Sequence, residues 1–208
     1  MLRISPRRAL FLAAGIGVGF SSCTELPNDI GVRRHRSVAA QTRLASHHPI
    51  ASSWNDAAST EGTPKILINL TTQQASFYRG KVLVGQTNIS SGRKDFETPP
   101  GSYRVMEKDE HHLSSQYGSY VARSGAILLR DADVHKDPCP KGAHFVGAPM
   151  PYFLRFTGGY GMHAGFVPRY RASHGCIRMP EMMAKHFFDS AKIGTRVEVV
   201  EPPIMVAQ

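Results

Sequence analysis

The sequence predicts a mostly β fold, an antiparallel β-sandwich or barrel with one helix packed near the C-terminus. Short β-rich runs follow one another closely from residue 65 onward, and one late stretch has the apolar spacing of an amphipathic helix. Strands that follow one another without helices between them favour antiparallel pairing over a parallel α/β sheet. The length of 208 residues, 41% of them hydrophobic and 20% charged, suits one folded domain with a tail.

The strands are recognised by β-branched and aromatic residues between turn residues. Arg79-Gly80 separates two of the runs, and Pro99-Pro100-Gly101 precedes the run that begins at Ser102. The predicted strands are 65–70, 75–78, 81–89, 102–106, 126–129, 152–156 and 196–200.

The helix is predicted over 180–192. Pro180 suits a first helical turn, Glu181 suits the positive N-terminal end, and Gly194 is placed to cap the other end. An apolar stripe recurs along this stretch, and it predicts a face packed on the core rather than a cofactor contact. The stripe consists of Met183, Ala184, Phe187, Phe188 and Ala191.

The N-terminus has the pattern of an export signal over residues 1–22. Arg3, Arg7 and Arg8 precede a short apolar run over 9–20, and small residues follow it. No apolar run in the chain reaches the roughly 18 residues of a membrane-spanning helix. Part of the formal net charge of +9 therefore belongs to a segment that is removed, and we expect no nucleic-acid partner.

Cys23 ends this signal. The run Phe20-Ser21-Ser22-Cys23 resembles the site at which bacterial lipoproteins are cleaved and lipidated, with phenylalanine where leucine is usual. Acylation would anchor the chain to a membrane, since each buried methylene contributes about 0.8 kcal/mol. The alternative is ordinary secretory cleavage nearby. We expect a tether over 23–62, a folded domain over 63–202 and a tail over 203–208.

A histidine and a cysteine suggest the chemistry. His163 precedes Cys176 by thirteen residues, and the cysteine stands in Ser173-His174-Gly175-Cys176-Ile177-Arg178. A thiol nucleophile needs a base that removes its proton and positive surroundings that favour the thiolate. Residues 138–180 contain five Lys and Arg but no Asp or Glu, so we expect this field to lower the pKa of the Cys176 thiol.

These residues resemble the signature of L,D-transpeptidase catalytic domains, which remodel bacterial peptidoglycan. The resemblance extends over about 65–201 and includes the Pro-Gly turn and Gly147-Ala-Pro-Met-Pro-Tyr152. The chain departs from the family in two ways. Ala164 stands between the histidine and Gly165, where many members have glycine directly, and the loop from His163 to Cys176 is shorter than in many members.

The resemblance implies a role for each matching residue. Cys176 corresponds to the nucleophile and His163 to its general base, later the acid. Because no carboxylate is close in sequence, we expect a backbone carbonyl, that of Ala164, to orient His163. The N–H groups of His174, Gly175 and Cys176 are candidates for an oxyanion site. Ser173 is expected to hold the site by a hydrogen bond, and Arg178 to act through its field or on a substrate carboxylate.

The resemblance also implies the reaction. Cys176 would form a thioester with a peptidoglycan stem peptide and transfer it to an amine, making a 3→3 cross-link or attaching a wall protein. Neither a metal nor an organic cofactor is implied. We expect a monomer in the cell envelope, exported to the periplasm and anchored to a membrane by lipid.

Three alternatives stay open at this point. Water could replace the amine, which would make the protein a carboxypeptidase or endopeptidase. A peptidoglycan-binding lipoprotein without catalysis is a second class. A zinc site at His163, His174 and Cys176 is a third, although no CxxC or HExxH spacing accompanies these residues. The remaining thiol and several histidines are predicted to be surface residues, namely Cys139, His111, His112, His135 and His144.

Overall fold

The computed structural model describes residues 50–202 except 56, 58–60 and 169. The predicted export signal, Cys23 and the predicted tail lie outside the described residues, as does most of the predicted tether.

The described part of the chain contains thirteen strands and one helix. They are β1 (Ser53–Trp54), β2 (Pro64–Asn69), β3 (Gln74–Arg79), β4 (Val82–Asn88), β5 (Gly101–Arg104), β6 (Glu107–Asp109), β7 (Leu113–Ala122), β8 (Ile127–Asp133), β9 (Ala143–Pro149), β10 (Phe153–Thr157), β11 (Tyr160–Ala164), β12 (Ile177–Met179), α1 (Glu181–Ser190) and β13 (Arg196–Val200). The mostly β prediction is confirmed, and all seven predicted strands are present.

The strands form three open sheets. The largest has the order β1-β4-β3-β2-β13-β5, the second β12-β11-β10-β6, and the third β8-β7-β9. None of these sheets closes into a barrel. Most neighbouring strands are antiparallel, as predicted, but β13 pairs with β2 and β12 pairs with β11 in parallel. Both parallel pairs join strands separated by longer connections, which leave room for a crossover.

The core lies where the alternating side chains of the large sheet meet α1. Ile66 and Ile68 on β2 are fully buried, and Val197 and Val199 on the neighbouring β13 continue this face. Phe187 of α1 packs edge-on against Phe77 of β3 with ring centroids 5.4 Å apart. Burying each such side chain contributes about 1.5–3 kcal/mol. The predicted apolar stripe of the helix is thus a core face.

The helix is shorter than the sequence predicts. It ends at Ser190, because Ala191 adopts an extended conformation while its N–H donates to the Phe187 carbonyl. Lys108 from β6 donates to the last carbonyls, those of Phe188 (2.6 Å) and Ala191 (2.7 Å), and a cation suits this end of a helix. Gly194 is not a helix cap; it lies in the turn before β13. Among the described residues, no helix is long and apolar enough to cross a membrane.

Strand β1 lies within the range predicted as tether, and the sequence pattern does not predict it. Trp54 packs on Gly85 of β4, where a side chain of any size would collide with the indole. The ring also stacks on His186 of α1, with centroids 4.9 Å apart. The domain therefore includes residues that precede the predicted boundary at residue 63.

Candidate active site

The parallel pair β11–β12 brings the histidine and the cysteine together. Its register aligns Met162 with Ile177 and His163 with Arg178. The alignment continued by one position sets Cys176 beside Gly161, on the same face as His163. Strand spacing then separates the two backbone positions by about 6.6 Å along the strands and about 4.8 Å across them. The side chains of His163 and Cys176 together can bridge such a separation.

His163 is buried, with 6% of its surface exposed. Its Nδ1 lies 2.8 Å from the Ala164 carbonyl oxygen, which is the orienting contact predicted from the sequence. A carbonyl accepts only, so the ring carries its proton on Nδ1 and leaves Nε2 as the acceptor. Burial, with a smaller contribution from the positive charge of Arg178, lowers the pKa of His163 to about 4. The ring is therefore neutral near pH 7 and able to take a proton.

Cys176 is half-buried immediately before β12, and its thiol donates to the Gly159 carbonyl at 3.6 Å. Burial raises the pKa of the thiol above its ordinary value. The Gly161 N–H and the charges of Arg155 and Arg178 act in the opposite direction but do not outweigh it. The expected net lowering of this pKa is wrong, because the sequence displays the charges but not the burial. The resting pair is a neutral thiol and a neutral imidazole.

A tight turn presents the thiol. The buried Ser173 hydroxyl donates to the Cys176 carbonyl at 2.5 Å and accepts the Gly175 N–H at 3.0 Å. Gly175 has φ +116°, and a Cβ at this position would lie 2.5 Å from the Tyr160 ring, so the turn requires glycine. The Gly175 N–H is engaged within the turn. The N–H groups of His174 and Cys176 are thus the remaining candidates for an oxyanion site.

The loop between β4 and β5 braces this turn, and sequence reasoning misses its role. Gly92 forms a β-bridge with Ser173, and the Arg93 N–H donates to the Ser173 carbonyl at 3.0 Å. Thr98 donates its hydroxyl to the Gly175 carbonyl at 2.6 Å and accepts the Gly92 N–H at 3.0 Å. The sequence signals this loop only through the Pro-Pro-Gly that ends it.

His174 points into a cluster that no sequence motif predicts. Its ring stacks on Tyr117 of β7, with centroids 4.1 Å apart and planes at 18°. Phe96 contacts the ring edge-on at 4.9 Å, and Arg93 Nη2 lies 2.7 Å from Nε2. Tyr117 and Arg93 come from elements distant in sequence, so only the fold identifies them as neighbours of the site.

Arg178 on β12 is the direct partner of His163 on β11, so the two side chains lie on the same face of the sheet. Arg178 is half-buried. Its positive charge lowers the pKa values of His163, His174 and Cys176. Within the described part of the chain, no carboxylate forms an ion pair with it. The guanidinium is therefore available to an anionic group.

The other predicted surface residues divide into two groups. Cys139, His111, His135 and His144 are exposed, as predicted. The prediction for His112 is wrong: its ring is half-buried, stacks on Phe153 at 4.2 Å, and its Nδ1 lies 3.0 Å from Asp109. The stacked arrangement forms because β6 and β10 are hydrogen-bonded neighbours.

The geometry also bears on the zinc alternative. A zinc site needs the ligand atoms of His163, His174 and Cys176 to converge. Among the described residues, the set of such atoms that converges within 4.8 Å is instead Glu107, Asp109 and His112. Glu107 is engaged there in an ion pair with Arg155 at 2.6 Å.

These features together define a cysteine–histidine site on a β scaffold. Residues 63–199 match the family model YkuD, the L,D-transpeptidase catalytic domain. The match covers more than half of the 208 residues, and the chain belongs to this family. The predicted fold type is confirmed with it.

Known proteins resemble the chain over most of this domain. YqjB of Bacillus subtilis (strain 168), which carries the provisional name of an L,D-transpeptidase, is 25% identical over 146 residues, 67% of this chain and 73% of its own. An L,D-transpeptidase structure from Mycobacterium smegmatis superposes with a TM-score of 0.51 at 15% identity, covering 67% of this chain and 59% of that one. The structure of LdtMt1 in complex with imipenem gives 0.51 at 18%, covering 66% and 59%. The chain thus spans about three fifths of these solved chains, and the likeness concerns the fold.

Proposed function

We propose that the protein is an L,D-transpeptidase in which Cys176 forms a thioester with a peptidoglycan stem peptide and passes the acyl group to an amine. One observation carries the proposal: a neutral His163, oriented by the Ala164 carbonyl, lies on β11 beside the strand that begins directly after Cys176. This is the arrangement that general-base activation of a thiol requires.

The first step is acylation. His163 Nε2 takes the thiol proton while Sγ bonds to the carbonyl carbon at the L-centre of the donor stem. The N–H groups of His174 and Cys176 would stabilise the oxyanion. When the tetrahedral intermediate collapses, the C–N bond breaks, and the imidazolium gives its proton to the departing D-amino acid. The products are a thioester and a free amino acid.

The second step is transfer. The acceptor amine attacks the thioester carbon, His163 accepts the amine proton, and the C–S bond breaks. The proton then returns to the thiolate, which restores the resting pair. Arg178 supports the donor by attracting the carboxylate of its terminal residue, because this guanidinium is half-buried beside the thiol and unpaired among the described residues.

A carbapenem is proposed as a substitute for the donor. Its strained lactam carbonyl offers the thiol the same kind of target as the stem-peptide bond. The solved LdtMt1 is in complex with imipenem, and a related fold around a cysteine–histidine pair supports the same expectation for this chain.

The cellular setting rests on the N-terminal sequence. We propose that residues 1–22 direct export and that Cys23 is acylated, so that the domain works in the envelope, at the end of a tether. A Cys23→Ala variant would then be released from membranes or stall in processing. A mature N-terminus well beyond residue 23 would contradict the lipid anchor and leave export standing.

The test of activity is mass spectrometry of muropeptides incubated with the purified mature chain. Cross-linked dimers that have lost the terminal D-amino acid support the transpeptidase. Trimmed monomers or split cross-links without new dimers indicate that water is the acceptor. Cys176→Ala should abolish both products, whereas Cys139→Ala, which removes the exposed thiol, should not.

Sacculus binding and two inhibitor treatments separate the remaining classes of protein. Sacculus binding that is unchanged by Cys176→Ala, with no turnover by the intact chain, would indicate a binding module. Activity lost on treatment with a strong chelator and restored by zinc would indicate the metal site. Activity that survives the chelator and is lost on thiol alkylation supports the cysteine mechanism.

A further inference from the structure

Arg93 makes a direct contact with the residue that precedes the glycine of the cysteine turn. Its Nη2 lies 2.7 Å from Nε2 of His174, and its guanidinium carbon lies 4.4 Å from the centre of the Phe96 ring. Arg93 is half-buried, whereas its neighbour Lys94 is exposed. The side chain is thus clamped between an aromatic face and an imidazole.

The chemistry of this contact fixes the state of the imidazole. A guanidinium has donors and no acceptor, and it does not lose its charge in a protein. Nε2 of His174 must therefore accept, which makes the ring neutral and places its proton on Nδ1. The ring is held on its face by Tyr117 and on its edge by Phe96. It therefore has one orientation and one tautomer.

This ring is continuous with the turn that carries the nucleophile. His174 lies between Ser173, which bonds to the Cys176 carbonyl, and Gly175, whose φ of +116° sets the sharp bend. The backbone N–H of Arg93 also donates to Ser173. Backbone and side chain of Arg93 thus hold the same turn from one loop, and a side-chain substitution removes only the second contact.

We propose that Arg93 is a positioning residue of the transfer site. Its guanidinium holds His174 as the neutral Nδ1–H tautomer and thereby fixes the Ser173–Cys176 turn and the N–H groups of that turn. The expected effect of Arg93 on turnover rests on the proposed function, whereas its effect on the His174 imidazole does not.

The charged groups around His174 set the expected pH behaviour. Burial, then Arg93 and Arg178, lower the pKa of this imidazole, while Asp131 and Asp133 raise it. Tyr117 covers the ring and is neutral near pH 7, since burial raises its own pKa. Removing the Arg93 side chain eliminates one of the charges that lower the pKa of His174, together with the hydrogen-bond donor to its Nε2. His174 should then take up a proton at higher pH than in the native protein.

The first measurement is the nitrogen spectrum of the histidine rings in the full mature chain, with His174 assigned by the loss of its signal in His174→Gln. The native protein should show the Nδ1–H tautomer at His174. Arg93→Met should give a mixture of tautomers and a higher titration midpoint. Lys94→Met removes the same charge one residue away and should leave the signal unchanged.

The second measurement is the pH profile of turnover. Arg93→Met should lower kcat by up to about 100-fold with little change in KM, as expected of a misplaced reacting group. The acid limb of its profile should move to higher pH. Arg93→Lys keeps a charged donor and should recover part of both losses. Lys94→Met should stay within about twofold of the native rate.

The two measurements separate the possible failures. An unchanged His174 spectrum in Arg93→Met overturns the inference, as does a native kcat and pH profile in an active enzyme. If the intact chain has no transpeptidase activity, the spectrum still decides the tautomer assignment, and the rate of Cys176 alkylation replaces kcat. If Arg93→Met does not fold, the same comparisons are made with Arg93→Lys and Arg93→Gln, and native behaviour in both overturns the inference.

Discussion

His163 and Arg178 are direct partners across the parallel strands β11 and β12, so a neutral imidazole and a permanent cation occupy neighbouring positions on one face. The guanidinium makes the imidazolium less stable and the Cys176 thiolate more stable. These two effects oppose each other in a resting thiolate–imidazolium pair. In the reaction proposed above, the first effect favours proton transfer from the imidazolium to the leaving amine, and the second makes the thiol easier to deprotonate.

Replacing either member of the pair should remove most of the turnover. Cys176→Ser should nearly abolish it, because a serine hydroxyl is a much weaker nucleophile. His163→Ala should lose general-base assistance, worth about 10²–10⁴-fold in rate. The measurement is the rate of muropeptide dimer formation, with circular dichroism to show that both variants are folded. A native rate in either variant rules out its assigned role.

Burial of the neutral His163 should also make stability depend on pH. Its pKa is about 4 in the folded protein against an ordinary 6.5, so between these values the unfolded chain binds more protons. The free energy of unfolding therefore falls as the pH decreases from about 6.5 to 4. The contribution of this group reaches about 3 kcal/mol, since each pKa unit corresponds to about 1.36 kcal/mol.

Denaturant unfolding at pH 7 and at pH 4.5 measures this loss. His163→Gln has no titratable ring, so its unfolding free energy should change less between the two pH values than that of the native chain. His111→Gln, which alters an exposed ring, is the matched control and should behave like the native chain. An equal pH dependence in native chain and His163→Gln contradicts the buried neutral state.

Gly175→Ala should damage both stability and turnover. The new Cβ would be forced into a positive φ and would lie 2.5 Å from the Tyr160 ring. Strain of this kind costs about 1–3 kcal/mol, and relief of the strain would move the thiol. Gly159→Ala is the control, because a Cβ there meets nothing within 4 Å although the residue also contacts Cys176. Thermal melts and dimer formation should separate the two variants, and equal behaviour would show that the turn tolerates a side chain.

The sequence predicts the large sheet well because its strands bury alternate residues, as at Ile66 and Ile68. Strand β7 is missed because it is mostly polar. The parallel pairing of β11 with β12 is also missed, since it depends on how the connection over 165–176 returns the chain to the sheet and not on a local residue pattern. The motif identifies His163 and Cys176, and the structure places His163 on β11 and Cys176 immediately before the neighbouring strand β12.

The rest of the site depends on tertiary contacts. Arg93 and Tyr117 reach His174 from positions 81 and 57 residues earlier in the chain, and no local spacing encodes such an approach. The direction of the Cys176 pKa shift depends on burial, which outweighs charges that are visible in the sequence. Charge is therefore predictable here from composition, whereas solvent exclusion is not.

A carbapenem should acylate the protein once, at Cys176. The thiol sulfur bonds to the lactam carbonyl carbon, the ring C–N bond breaks, and His163 carries the thiol proton to the released nitrogen. The mass of the chain should therefore rise by that of one intact drug molecule. Because the resting thiol is protonated, the acylation rate should also depend on His163, and His163→Ala should slow it by about 10²-fold or more.

Peptide mapping of the adduct tests the choice of thiol. The modified peptide should contain Cys176, and Cys139→Ala should react like the native chain, because Cys139 is exposed and its thiol lies against the carbonyls of Pro140 and Ala143. Cys176→Ala should not react.

An adduct on Cys139 would mean that the wrong thiol has been assigned. Absence of any adduct in a chain that still forms muropeptide dimers would place the error in the shape of the pocket, at the short loop between His163 and Cys176. Absence of both would refute the cysteine acyltransferase.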